Sequence, residues 1–125
     1  FSREQMAEIG SAGTPVASFF AQVCEATLEF DESVGIPGSS HPDSLTMAVL
    51  LHPELITRSG SYAVDIEADS ELTRGYSAMS WGVHGLAPNA RVIESVDAAG
   101  FFDYIKKTMA TVTQVSSPII GLRSR

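Results

Sequence analysis

Apolar residues recur in two rhythms along this chain. Val16, Phe19, Phe20, Val23, Cys24, Thr27 and Leu28 return at helical spacing. They follow Gly13-Thr14-Pro15, where a threonine hydroxyl can cap a first turn and a proline can occupy its first position. The pattern predicts an amphipathic helix of about four turns. Ahead of it, Ser2-Arg3-Glu4-Gln5 has the form of a capping box and predicts a short helix running to Gly10. Beyond it, the turn-forming residues of 33–40 predict a loop. Asp43 or Ser44 then caps a helix with Leu45, Ala48, Val49 and His52 on one face, ended by Pro53.

The second rhythm is alternation. Tyr62, Val64, Ile66 and Ala68 alternate with Ala63, Asp65 and Glu67, which predicts a strand over 61–68 with one wet face. A second strand over 77–83 brings Met79, Trp81 and Val83 to one side, with Met79 and Trp81 expected in the core. The two are expected to pair antiparallel across the polar loop 69–75, where Gly75 can take a positive φ. Ala87-Pro88-Asn89 turns the chain into a third strand over 91–96. Asp97 caps a last helix bearing Phe101, Phe102, Ile105, Met109 and Val112, with Lys106 and Lys107 late in it, where positive charge suits the helix dipole. Residues 116–125 predict a loose arm, and no internal repeat is visible.

Composition narrows the function classes. With 125 residues, 44% of them apolar, the chain is one domain's worth of material. Fifteen acidic residues against eight basic give a net charge of −7, which argues against nucleic acid or an anionic membrane surface as partner. A small neutral substrate or a cation fits better. The single cysteine, Cys24, has no internal disulfide partner and reads as a small buried hydrophobe in a reduced, cytoplasmic protein. No apolar run reaches the roughly 18 residues of a membrane span, residues 1–8 lack signal-peptide character, and a soluble protein is expected. A chain that starts at Phe is expected to be a fragment or a processed product.

Particular segments carry a resemblance. His41-Pro42-Asp43-Ser44-Leu45 leads into Ala48-Val49-Leu50-Leu51-His52-Pro53-Glu54-Leu55. Glu71-Leu72-Thr73-Arg74-Gly75, Pro88-Asn89-Ala90-Arg91-Val92 and Phe101-Phe102-Asp103 follow in order. Over nearly the whole chain, to about Met109, this series resembles the C-terminal third of the inosine/uridine-preferring nucleoside hydrolase family. The resemblance implies an α/β fold with a mixed, largely parallel sheet, represented here by helices, an antiparallel hairpin and one further strand. It also implies calcium-dependent hydrolysis of the N-glycosidic bond of a ribonucleoside to ribose and free base. Breaking that bond develops positive charge on the sugar, while the departing base needs its negative charge neutralised. Calcium, which wants six to eight oxygens, can hold ribose hydroxyls and acidify a water.

By the same resemblance Asp43 matches the family's late calcium ligand, and His41 is the candidate catalytic contact to the leaving base. The family places its base-facing residue immediately before this aspartate, where the present chain has Pro42. The family's opening D-x-D-x-x-x-D-D cluster has no counterpart in 1–125, so the chain is expected to be the C-terminal portion of a nucleoside hydrolase-like domain whose N-terminal aspartate-cluster part is absent. The implied partners are a nucleoside substrate, that missing part, and further copies in a dimer or tetramer. Phe19, Phe20, Phe101 and Phe102 are expected to be exposed where the missing part would pack.

The remaining candidates read as structural. His52 reads as a structural residue on a helix face and His84 as a loop residue, His41, Asp43 and His52 lack zinc-ligand spacing, Asp65, Glu67 and Asp69 form a solvated strand face, and Arg74 reads as a surface or subunit-contact residue. The alternative function is a noncatalytic fragment or degenerate paralogue acting as an interaction module.

Overall fold

The Ser2 hydroxyl accepts the Gln5 N–H at 3.2 Å, while the Gln5 side chain accepts the Ser2 N–H at 2.9 Å. This reciprocal cap opens α1 (Arg3–Gly10) as expected. The computed structural model describes residues 1–81 and 85–111. Val83, His84, Val112 and the 116–125 arm therefore lie outside the described residues. Thr14 caps α2 (Pro15–Ser33) by accepting the Ala17 N–H at 3.0 Å, with Pro15 in the first turn. At 19 residues, α2 runs about a turn longer than predicted.

The chain divides into two units: Phe1–His41 with the segment from Phe102 onward, and Pro42–Phe101. In the first, α1 and α2 bury Met6, Ile9, Ala17 and Leu28, and the later part of α4 (Ala98–Ala110) adds Phe102 and Ile105. Only one edge of the α2 apolar arc is buried. Ala17 and Leu28 are inside, while Val16, Phe19 and Val23 remain exposed. The expected helical face was thus too broad, because spacing alone cannot say which edge of a wide apolar arc meets the neighbouring helix. Two ties link the ends of this unit: Thr14 Oγ1 donates to the Met109 carbonyl at 2.6 Å, and Lys106 Nζ to Glu8 Oε1 at 2.9 Å.

The second unit holds α3 (Pro42–Leu51), a 3₁₀ turn (Pro53–Leu55) and a three-stranded sheet of order β2-β1-β3. Its strands are β1 (Ile56–Ile66), β2 (Ser77–Ser80) and β3 (Ala90–Val96). α3 begins at Pro42, so Asp43 lies within the first turn and does not cap it; proline is well suited to that first position because it has no N–H to leave unpaired. The helix ends before Pro53, whose ring disfavours the helical region at His52.

Both pairings of β1 are antiparallel. The expected hairpin is present, with Ala63 opposite Ser80 and Ile66 opposite Ser77, and Gly75 has a φ of 90°. β1 starts five residues before the predicted strand, at Ile56 against 61, and an irregular register near Arg58 breaks the alternation that would have marked it. Ala68 falls outside it. Trp81 is 63% exposed, with its ring edge-on to Tyr62 at 5.1 Å, so it is not the core residue expected. Asp97 accepts the Gly100 N–H at 3.0 Å and caps α4 as expected. Phe101 and Phe102 are 7% and 9% exposed, contrary to the expectation that they face outward. Among the described residues, no helix is long and apolar enough to cross a membrane.

Candidate functional site

His41 is the last residue of the first unit, at the end of the loop that follows α2. Its imidazole packs beside two phenylalanine rings, with centroids 4.8 Å from Phe1 and 5.6 Å from Phe20 and a 32° tilt to each. Burial lowers its pKa, the nearby Phe1 amino group adds to the effect, and Asp31 opposes it. The ring is therefore neutral at neutral pH and carries one N–H. Nε2 is buried with no hydrogen-bond partner among the described residues.

The backbone leading to His41 is fixed on two sides. Ser39 N–H donates to the Phe1 carbonyl at 2.8 Å, and the Phe1 amino group to the Ser39 carbonyl at 2.6 Å. Asp31, buried in the last turn of α2, accepts the Ser40 N–H at 3.1 Å. Sequence reasoning missed Asp31. Its signal was an acid at a helix end where a base is favoured.

The chain passes from the first unit to the second between His41 and Pro42, so Asp43 belongs to the other unit. Asp43 is exposed in the first turn of α3, where the unpaired N–H groups of a helix start favour negative charge. Among the described residues its carboxylate has no hydrogen-bond or ion-pair partner.

No group of three or more His, Cys, Asp or Glu among the described residues could hold a metal ion. One carboxylate supplies two oxygens at most, against the six to eight calcium takes. The described residues do not by themselves fit calcium.

The other candidates have surroundings of their own. His52 Nδ1 meets Glu54 Oε1 at 3.0 Å beside the 3₁₀ turn. Arg74 is exposed in the hairpin loop. Asp65 lies on the exposed part of β1, and Glu67 ties the loop by accepting the Asp69 and Ser70 N–H groups at 2.8 and 3.0 Å. Cys24 is half-buried, and burial pushes its thiol pKa up, as suits an unreactive side chain. An open groove of about 630 Å³ along the hairpin, lined by Ala63, Asp65, Met79, Leu86 and Asn89, contains neither His41 nor Asp43.

The family model described as inosine-uridine preferring nucleoside hydrolase matches residues 1–103, and the chain belongs to that family. The pyrimidine-specific ribonucleoside hydrolase RihA of Citrobacter koseri is 32% identical over 103 residues, covering 80% of this chain and 33% of the relative. RihA of Shewanella woodyi is 31% identical over 114 residues, covering 89% and 36% respectively. A solved inosine-guanosine nucleoside hydrolase shares the fold over 90% of this chain and 36% of its own, with a TM-score of 0.73 and 18% identity. The chain thus spans about a third of the length of these relatives. The three antiparallel strands and four α-helices among the described residues are a part of that α/β architecture.

Proposed function

We propose that this chain is the C-terminal portion of a calcium-dependent nucleoside hydrolase, which splits a ribonucleoside into ribose and free base. The N-terminal aspartate cluster, the water-activating group and most ribose contacts belong to the remainder of the fold, and the complete enzyme works in the cytoplasm as a homo-oligomer. The observation that carries this reading is Asp43, a carboxylate exposed at a helix start and without a partner among the described residues, in a chain that matches the family over 1–103. Asp43 contributes one donor to a calcium site that the rest of the fold completes. His41 is the contact to the departing base, and its buried, unpartnered Nε2 supports that role.

Ribose release from a panel of purine and pyrimidine nucleosides, measured with calcium and with a chelator, tests the reading on the complete enzyme. Activity should depend on calcium, and Asp43→Ala should remove at least 100-fold of it, on the order of what losing one stabilising group costs in other sites. Full activity with unchanged calcium dependence in that variant would remove Asp43 from the metal site. A second reading, a noncatalytic interaction module, is favoured by Pro42 standing before Asp43. The same panel separates the two, since the module releases no ribose in any condition.

A further inference from the structure

Asp31 occupies a place that costs stability in two ways. It is only 7% exposed, so its carboxylate has lost most of its hydration, and it lies in the last turn of α2, where the helix dipole disfavours negative charge. Its hydrogen bonds show what it holds. Oδ2 accepts from the Ser40 N–H at 3.1 Å and from the Ser40 hydroxyl at 3.4 Å. Its backbone carbonyl accepts from Ile36 N–H at 2.9 Å and Val34 N–H at 3.2 Å. One residue therefore closes the post-α2 loop at both ends, and the residue after Ser40 is His41. The Phe1 and Phe20 rings lie beside the imidazole, the paired Phe1–Ser39 bonds hold the backbone at residue 39, and the Asp31 carboxylate holds it at residue 40, next to His41.

We propose that Asp31 is a positioning residue, which holds Ser40 and thereby sets where the His41 ring enters the aromatic pair. The functional weight of this rests on the reading of His41 as the base-side contact. The positioning itself is measured without activity, so the two can fail separately.

The test is nuclear magnetic resonance on the 125-residue chain at a single neutral pH, comparing wild type with Asp31→Ala and Asp31→Asn. Two signals are followed: hydrogen exchange at the Ser40 amide, and the His41 ring-proton shifts that the flanking phenyl rings impose. In Asp31→Ala, Ser40 protection should fall about tenfold, the worth of a charge-assisted hydrogen bond, and the His41 ring protons should move. Amides of Met6 and Ile9 in α1 should stay as protected as before. Asp31→Asn keeps an acceptor of the same shape and should restore part of both signals, and it decides the matter if the alanine variant does not fold. The proposal is overturned if Ser40 and His41 are unchanged in both variants. It is equally overturned if protection falls uniformly through α1 and α2, because Asp31 would then only stabilise the unit.

Discussion

Gly60 stands where β1 passes Tyr62 and Glu94 with no room for a side chain. A Cβ there would lie 2.6 Å from a Tyr62 ring carbon and 2.7 Å from Glu94 Oε1. The space is filled by a small polar cluster: Tyr62 OH donates to Glu94 Oε1 at 2.6 Å, and Arg58 Nε pairs with Glu94 Oε2 at 2.9 Å. Gly60→Ala must displace the Tyr62 ring or the Glu94 carboxylate and so strain the bond between them. We expect a loss of about 1–3 kcal/mol, the usual cost of overpacking, read as a lower midpoint in urea with an unchanged slope. No change in midpoint would mean that the cluster relaxes without cost. At this scale the candidate site was half legible. The place of Asp43 at a helix start follows from its neighbours in sequence. The packing of His41 against Phe1 and Phe20 does not, because residues far apart in the chain meet only in the folded unit.

Among the elements, the pairing of β1 with β3 is extended by a side chain standing in for backbone. Asn89 donates to the Val64 carbonyl at 2.9 Å and accepts the Val64 N–H at 2.8 Å, continuing the β3 ladder past the end of the strand. Asn89→Ala leaves both Val64 groups to water. It should cost about 1–2 kcal/mol and raise amide exchange at Val64 while sparing the Ser59–Ile93 region of the sheet. Equal exchange at both places would contradict a local role.

Glu67 supplies a pH dependence in the β1–β2 hairpin. Backbone hydrogen bonds from Asp69 and Ser70 hold its carboxyl below the ordinary glutamate value. A lowered folded-state pKa contributes stability that is complete above the unfolded value of about 4.3 and is lost as pH falls through the folded value. Loop 68–75 should therefore loosen in acid before the helices do, and Glu67→Gln should show little of that acid-specific change; loop amide exchange across pH 2–6 (a window about two units either side of the carboxylate range) measures it.

Helix starts were readable where the capping chemistry is contiguous, as at Ser2, Thr14 and Asp97. α3 was misplaced by two or three residues because Pro42 and Asp43 both carry helix-start signals and the proline took the first position. The first half of β1 was missed because Thr57-Arg58-Ser59-Gly60 has no alternation, and the pairing with β3 that makes it a strand is distant in sequence.

For the whole molecule, the exposed apolar surface is the clearest unsettled property. Phe19 is 66% exposed and Leu50 72%, on a chain that spans about a third of its relatives' length. Such surface favours association. The isolated 125-residue chain should therefore self-associate in sedimentation experiments, and Phe19→Asp with Val23→Asp should reduce this without unfolding α2. The same chain should show no tight calcium binding and no ribose release, since one available carboxylate leaves the ion mostly hydrated. Micromolar calcium binding by calorimetry, or ribose above a protein-free control, would overturn the fragment reading.

The division into units also governs the order of assembly during synthesis. Residues 42–101 are one uninterrupted run, whereas the first unit is stitched from both sides of that run, by Thr14 to Met109 and by Glu8 to Lys106. As the ribosome releases the chain from its N-terminal end, the sheet has all its strands before the helical unit has its closing helix. Until then α1 and α2 stand without the Thr14–Met109 and Glu8–Lys106 ties, so the helical unit is expected to close after the sheet.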